Sequence, residues 1–346
     1  MRAGQARDIA REWVHDEATT IPGFVGAYLA GSITWLADDA ILPHTSDVDI
    51  MIVLDGPVPA QKPGKFIHEG ALLEASFLAL GDCRTPEQIL AQDQLAGGFR
   101  TPSVIADPTG HLTALQAAVG RDFAKRRWVR ARADHAMTRV RNGLDRLNAS
   151  DPFPTQVIGW LFPTGVTTHV LLDAGLRNPT VRSRYVAVRE LLREYGRDDV
   201  HETLLGLLGC ATMTPDQVER HLLTMTEAFD DATEVIKSPF PFASDITAAA
   251  RPIAIDGSRD LIHCGLHREA VFWIAATYSR CHQVFSRDAT ERVRERHSAG
   301  YGELVSDLGI RSYLDLTRRA GEVRAFLPDL WRIAEAIMAA NPEIED

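Results

Sequence analysis

The chain has 346 residues, 45% of them hydrophobic and 24% charged, which is enough for about two domains with packed cores. Its formal net charge of −10 argues against a large nucleic-acid-binding surface, because a net-negative protein repels polyanions. No apolar run approaches the roughly 20 residues that span a bilayer. The N-terminus has no apolar core of a signal peptide. The four cysteines are scattered without a C-x-x-C, so a cytoplasmic chain with reduced thiols and no membrane contact is expected.

In chain order, residues 4–19 predict an amphipathic helix with Ile9, Ala10 and Trp13 on one side, ended by Pro22-Gly23. Residues 25–30 predict a short strand, followed by Gly31-Ser32, a helical turn over 33–36 and a loop over 38–46. Residues 47–54 are the clearest strand, dense in β-branched and apolar side chains. A proline-rich loop over 56–64 leads into residues 65–68, the pair Glu69-Gly70 and residues 71–80, which together predict a hairpin with a tight turn. A helix over 86–96 and a short strand over 103–106 close this part at the turn 107–110.

From His111 onward the apolar spacing predicts helices over 112–147, 167–174, 181–195, 215–236, 259–285 and 313–340. Ser238-Pro239-Phe240-Pro241-Phe242 interrupts the run. The expected fold class is α+β: a small mixed β-sheet domain with flanking helices over 1–110, then an all-helical domain over 111–346. The best candidate for a split within the second is near 238–245.

The chemistry concentrates in the first part. On a strand, residues two apart share a face, so Asp47 and Asp49 project together while Val48, Ile50, Ile52 and Leu54 point into a core. Two adjacent carboxylates repel unless a cation neutralises them. Mg²⁺ is the usual hard cation for such a pair and takes the rest of its shell from water and phosphates. Glu74 lies inside an otherwise apolar strand, where a carboxylate is costly without a partner. Beside Asp47 and Asp49 it becomes a third acid, either a metal ligand or a general base. Gly31 and Ser32, between strand and helical turn, offer backbone N–H groups and a hydroxyl to phosphate.

The specificity lies in the order: strand, Gly-Ser, short helix, loop, strand with D-x-D, hairpin, strand with a central acid. "LAGSITWLADDAILPHTSDVDIMIVLD" resembles the signature of the DNA polymerase β-like nucleotidyltransferase superfamily. "FIHEGALLEASFLAL" resembles the third-acid strand of its small-substrate members, such as the aminoglycoside nucleotidyltransferases. The loop between Ser32 and Asp47 is slightly long for the pattern. The resemblance implies that Asp47 and Asp49 are metal ligands, that Glu74 is the third catalytic acid, and that Gly31 and Ser32 hold triphosphate. It further implies one or two Mg²⁺ ions, a nucleoside triphosphate (ATP by default) as co-substrate, and transfer of a nucleoside monophosphate to an acceptor hydroxyl. The acceptor class it suggests is a small molecule, an aminoglycoside or another antibiotic or natural product. Two alternatives stand beside it: a macromolecular acceptor, protein or tRNA, as in toxin-type relatives, or a non-catalytic antitoxin-like binding module.

The helical part is less informative. Relatives use basic residues there on the phosphates, which makes Arg182, Arg184 and Arg189 candidates; a solvated basic face is the competing reading. Trp160, His169, Asp173 and Glu190 are candidates for acceptor contacts, with a structural pair on the helix surface as the alternative for His169 and Asp173. His263 and His267 share a face of one expected helix with Cys264 between them, but no second ligand cluster accompanies them, so helix packing fits better than zinc. Phe272, Trp273 and Tyr278 read as core of the same helix.

Overall fold

The computed structural model describes residues 1–346. Its sheet is built from β1 (Phe24–Ala30), β2 (Val48–Leu54), β3 (Gly64–His68), β4 (Ala71–Ala79) and β5 (Val104–Ala106), in the order β3-β4-β2-β1-β5. β2 runs antiparallel to β1 and parallel to β4, so the sheet is mixed. β3 and β4 form a hairpin whose turn residues Glu69 and Gly70 both have positive φ, 46° and 77°. That is the geometry whose twist matches two paired strands.

Alternation along the strands divides the side chains between two faces. Val48, Ile50, Ile52 and Leu54 bury into a core of 17 residues with Ala6, Ile9, Ala10 and Val14 of α1 (Ala3–Asp16). The small residues of α1 let that helix lie close against the strands. On the other face, Tyr28 and Val53 join a core of 72 buried residues, against which Met51 and Leu78 also pack. This second core continues from the sheet into the helices.

The helices are α2 (Pro86–Leu90), α3 (His111–Asp122), α4 (Arg126–Asp145), α5 (Phe153–Ala174), α6 (Arg184–Glu194), α7 (Asp198–Leu208), α8 (Pro215–Val235), α9 (Gly257–His263), α10 (His267–Asp288), α11 (Glu291–Asp307) and α12 (Tyr313–Ala340). α5 is the hub, packed against α4, α10 and α12. The fold is therefore α+β, a five-stranded mixed sheet joined to a helical assembly. No helix is long and apolar enough to cross a membrane. All four cysteines are free thiols.

Several expected elements change their limits. The helix expected over 112–147 is two, because Lys125 takes an extended backbone conformation, φ −63° and ψ 129°. The helix expected over 259–285 is also two, broken at Gly265 with φ 75°. His263 ends α9 and His267 begins α10, so they do not share one helix face, and His267 Nε2 is 3.0 Å from the Met213 carbonyl. The segment expected over 86–96 stops at Leu90 and resumes as a 3₁₀ turn, Ala96–Phe99. α5 begins at Phe153 rather than 167, carrying Pro163 inside it. Pro163 seats against Gly143 of α4, where an added Cβ would come within 2.4 Å of its ring.

Candidate active site

The register brings the acids together. Asp49 on β2 is paired with Glu74 on β4 and, on its other side, with Ala30 on β1. Asp47 immediately precedes β2, two residues from Asp49. Carboxylate oxygens of Asp47, Asp49 and Glu74 lie within 4.8 Å of one another. Ala30 leads directly into the 3₁₀ turn Gly31–Trp35, which sets Gly31 against the acids. Gly31 has φ 65°, and a Cβ there would lie 2.0 Å from Asp49 Oδ2. Both the backbone conformation and the space require glycine.

Two lysines enter from the β3 side. Lys65 sits opposite Glu74 in the β3–β4 register, its side chain 8% exposed. Its ammonium pairs with Glu74, lies 3.1 Å from Asp47 Oδ2 and reaches Asp245 Oδ1 at 2.9 Å. Lys62 pairs with the second oxygen of Glu74. Asp245 belongs to a 3₁₀ turn, Ala243–Asp245, and is held from behind by Arg280 Nη1 at 2.9 Å.

These charges set opposite electrostatics on neighbouring acids. Burial, reinforced by Asp47 and Glu74, pushes the Asp49 carboxyl well above the usual range, against the pull of Lys65 and Lys62. Burial acts on Glu74 too, but Lys65 and Lys62 outweigh it and lower its pKa to about 2. Burial opposes the charge on Lys65, yet Asp47, Asp245 and Glu74 together raise its pKa.

The acids open into a cleft of about 1070 Å³ between the sheet and the helical part. Of the residues named from the sequence, Gly31, Ser32, Asp47, Asp49, Glu74, Arg182, Arg184, His169 and Glu190 line it. Arg182 donates to the Thr45 carbonyl at 3.2 Å; burial lowers its pKa and Asp47 works against that. Arg184 is packed into the wall, with its guanidinium 4.2 Å from the Phe272 ring centre and its pKa lowered by burial to about 9. His169 is held near neutral form, its pKa lowered by burial and then by Arg184 to about 4.

Three named residues do not line the cleft. Trp160 is fully buried in the helical core, its ring under the Arg319 guanidinium at 5.6 Å. Asp173 is buried 3.8 Å from Arg132. Arg189 is drawn to Glu269, Nε to Oε1 3.4 Å. Helical spacing alone does not tell the cleft face from the core face.

The structure also adds residues. Lys62, Lys65, Asp245, Arg280 and Trp273 line the cleft, as do Asp93 and Arg139. Asp93 is buried and fully partnered: His135 Nδ1 lies 2.6 Å away, Arg139 pairs with its second oxygen, and His169 Nδ1 is at 3.5 Å. Lysine on a short strand reads as solvated, and Asp93 and Asp245 sit in irregular turns, so only spacing across strands and turns reveals them.

Chemically, three oxygen donors in one cluster suit a hard divalent ion. Asp47, Asp49 and Glu74 could hold one, and the like-charge crowding on Asp49 is the strain such an ion relieves. No protein-family model, curated protein or solved structure matches the chain.

Proposed function

We propose that the cleft transfers a nucleoside monophosphate from a nucleoside triphosphate to an acceptor hydroxyl, with release of pyrophosphate and dependence on Mg²⁺. The observation that carries this reading is the convergence of Asp47, Asp49 and Glu74 within 4.8 Å, with the Gly31 backbone against Asp49. The order of elements around them is the one on which the resemblance to DNA polymerase β-like nucleotidyltransferases rests.

Asp47 and Asp49 would hold the ion, which when bound neutralises phosphate charge for in-line displacement. The Gly31–Ser32 turn would present backbone N–H groups and a hydroxyl to the phosphates. Arg182, within electrostatic reach of Asp47, would add a positive charge on the same side. Glu74 remains to accept the proton of the attacking hydroxyl. With two ammonium groups on it Glu74 is a weak base, so this role requires Lys62 or Lys65 to turn from it towards phosphate oxygens when triphosphate binds.

A cleft of about 1070 Å³ suits a nucleotide with a small second reactant. Glu190 on the helical wall offers a carboxylate to a cationic acceptor such as an aminoglycoside. The test is incubation of the chain with Mg²⁺, mixed triphosphates and a library of small hydroxyl compounds, read by mass spectrometry. A mass gain of one nucleotide on a small compound is the expected result. Labelling of protein or RNA instead would move the acceptor to a macromolecule, and no pyrophosphate release with any acceptor would leave only a binding module.

A further inference from the structure

One carboxylate assigned to the cation, Asp47, and the Glu74 carboxylate beside it already share an ammonium. Lys65 Nζ pairs with Glu74, lies 3.1 Å from Asp47 Oδ2, and lies 2.9 Å from Asp245 Oδ1. Two of these partners belong to the acid cluster, and the third comes from the helical part. The turn that carries Asp245 presses on the edge strand: a Cβ at Gly64 would meet Ser244 Cβ and Oγ at 2.5 Å. Asp245 itself is fixed from behind. Its second oxygen takes Arg280 Nη1 at 2.9 Å, and the Arg280 guanidinium lies over Phe242 at 4.3 Å and Trp273 at 5.2 Å.

We propose that Lys65 is an internal counter-ion that competes with the divalent cation for Asp47, with Glu74 beside it, and that Asp245 is the anchor that keeps its ammonium when the cation takes the Asp47 oxygen. The inference rests on the metal reading of the acid cluster. An ammonium and a divalent ion on the same oxygens repel each other, so one must yield or both bind weakly. A buried ammonium driven off its partners would be costly unless another carboxylate held it. Asp245 removes that cost, because Lys65 can leave Asp47 and Glu74 without losing its last ion pair. The displacement also frees Glu74 from one of its two lysines, which is the change its role as proton acceptor requires. The cation alone therefore binds weakly, and a triphosphate, which brings its own negative charge, tips the competition.

The experiment is calorimetric titration of the full chain with Mn²⁺, without nucleotide, on the wild type, Lys65→Met, the double variant K65M/D245N and Asp49→Asn. Lys65→Met is expected to bind Mn²⁺ about 10-fold more tightly, from loss of one competing unit charge beside the site. The double variant removes one charge of each sign, leaves Arg280 the amide oxygen of the substituted side chain, and is expected to keep a gain of about 3-fold. A lysine with a merely structural role would leave affinity unchanged or lower it. Equal or weaker binding in every folded Lys65 variant, with wild-type binding abolished by Asp49→Asn, overturns the counter-ion role and leaves the metal reading intact. No binding in any variant, or binding that survives Asp49→Asn, overturns both.

Discussion

Asp49 and Asp93 line the same cleft in opposite surroundings. Asp93 has every partner it can use: His135, Arg139 and His169 converge on its two oxygens. Burial alone would raise its pKa, but those three outweigh burial and hold it below the usual carboxylate range. Asp49 has two more carboxylates beside it, and its pKa is pushed up by burial and by them. A buried carboxylate with its charge already balanced is a fixture of the fold. One crowded by like charges makes sense when a cation arrives from outside.

The sharpest way to break that contrast is to neutralise each acid in turn. Asp47→Asn or Asp49→Asn is expected to lower transfer by about 10³-fold or more, since each removes a ligand from the site of charge compensation. Asp49→Asn should leave the melting temperature in chelator unchanged or higher, because it relieves repulsion. Pyrophosphate release and a thermal melt on the same samples check both. Full activity in either variant removes it from the metal site.

Asp93→Asn is expected to do the reverse. It strips one partner from a buried charged network and should cost about 3 kcal/mol of stability. The pH dependence has a definite sign. The folded pKa of Asp93 lies below its unfolded value, about 3.9. The stability it adds is therefore complete above that value and is lost as pH falls through the folded one. Urea midpoints of wild type and variant should differ by a constant amount from pH 7 to pH 5 and converge below about pH 4. A gap that stays constant to pH 3 would mean that the Asp93 carboxylate is not what the network stabilises.

The two acids also differ in how visible they are before folding. Asp49 stands in a run of β-branched residues whose alternation fixes its face, and the D-x-D spacing fixes Asp47 beside it. The hairpin around Glu69-Gly70 then fixes which way Glu74 points. Asp93 follows a five-residue helix and precedes a 3₁₀ turn, where no periodicity exists to assign a face. Lys65 is the same problem on a strand. Its meaning comes from pairing with Glu74 across the hairpin and from Asp245, 180 residues along the chain. In the helices, Arg182 and Arg189 share a spacing but not a fate, because Glu269 on α10 draws Arg189 away. α5 was hidden by Pro163, which reads as a breaker until Gly143 gives it room.

Gly31→Ala probes how closely the turn after β1 and the acid are coupled. The added methyl meets Asp49 Oδ2 at 2.0 Å and strains a residue at φ 65°. Displacement of the acid by about 1 Å should lower kcat by about 10²-fold. The positive φ adds about 1 kcal/mol of destabilisation. If kcat is unchanged while stability falls, the glycine serves only the turn.

The smallest effect tests where the cleft ends. Trp160 is fully buried under Arg319 and does not line the cleft, whereas Trp273 does. Trp160→Phe removes buried ring volume and should cost roughly 1–2 kcal/mol, with the acceptor KM unaltered. Trp273→Phe changes the wall beside Arg280, where the indole lies 5.2 Å from the guanidinium. It should alter acceptor KM about 3-fold with less than 1 kcal/mol lost from stability, since the ring is already part-exposed. The opposite pattern, KM moved by Trp160 and not by Trp273, would put the acceptor deeper in the helical part, between α5 and α12, and would reassign the wall against which the acceptor is held.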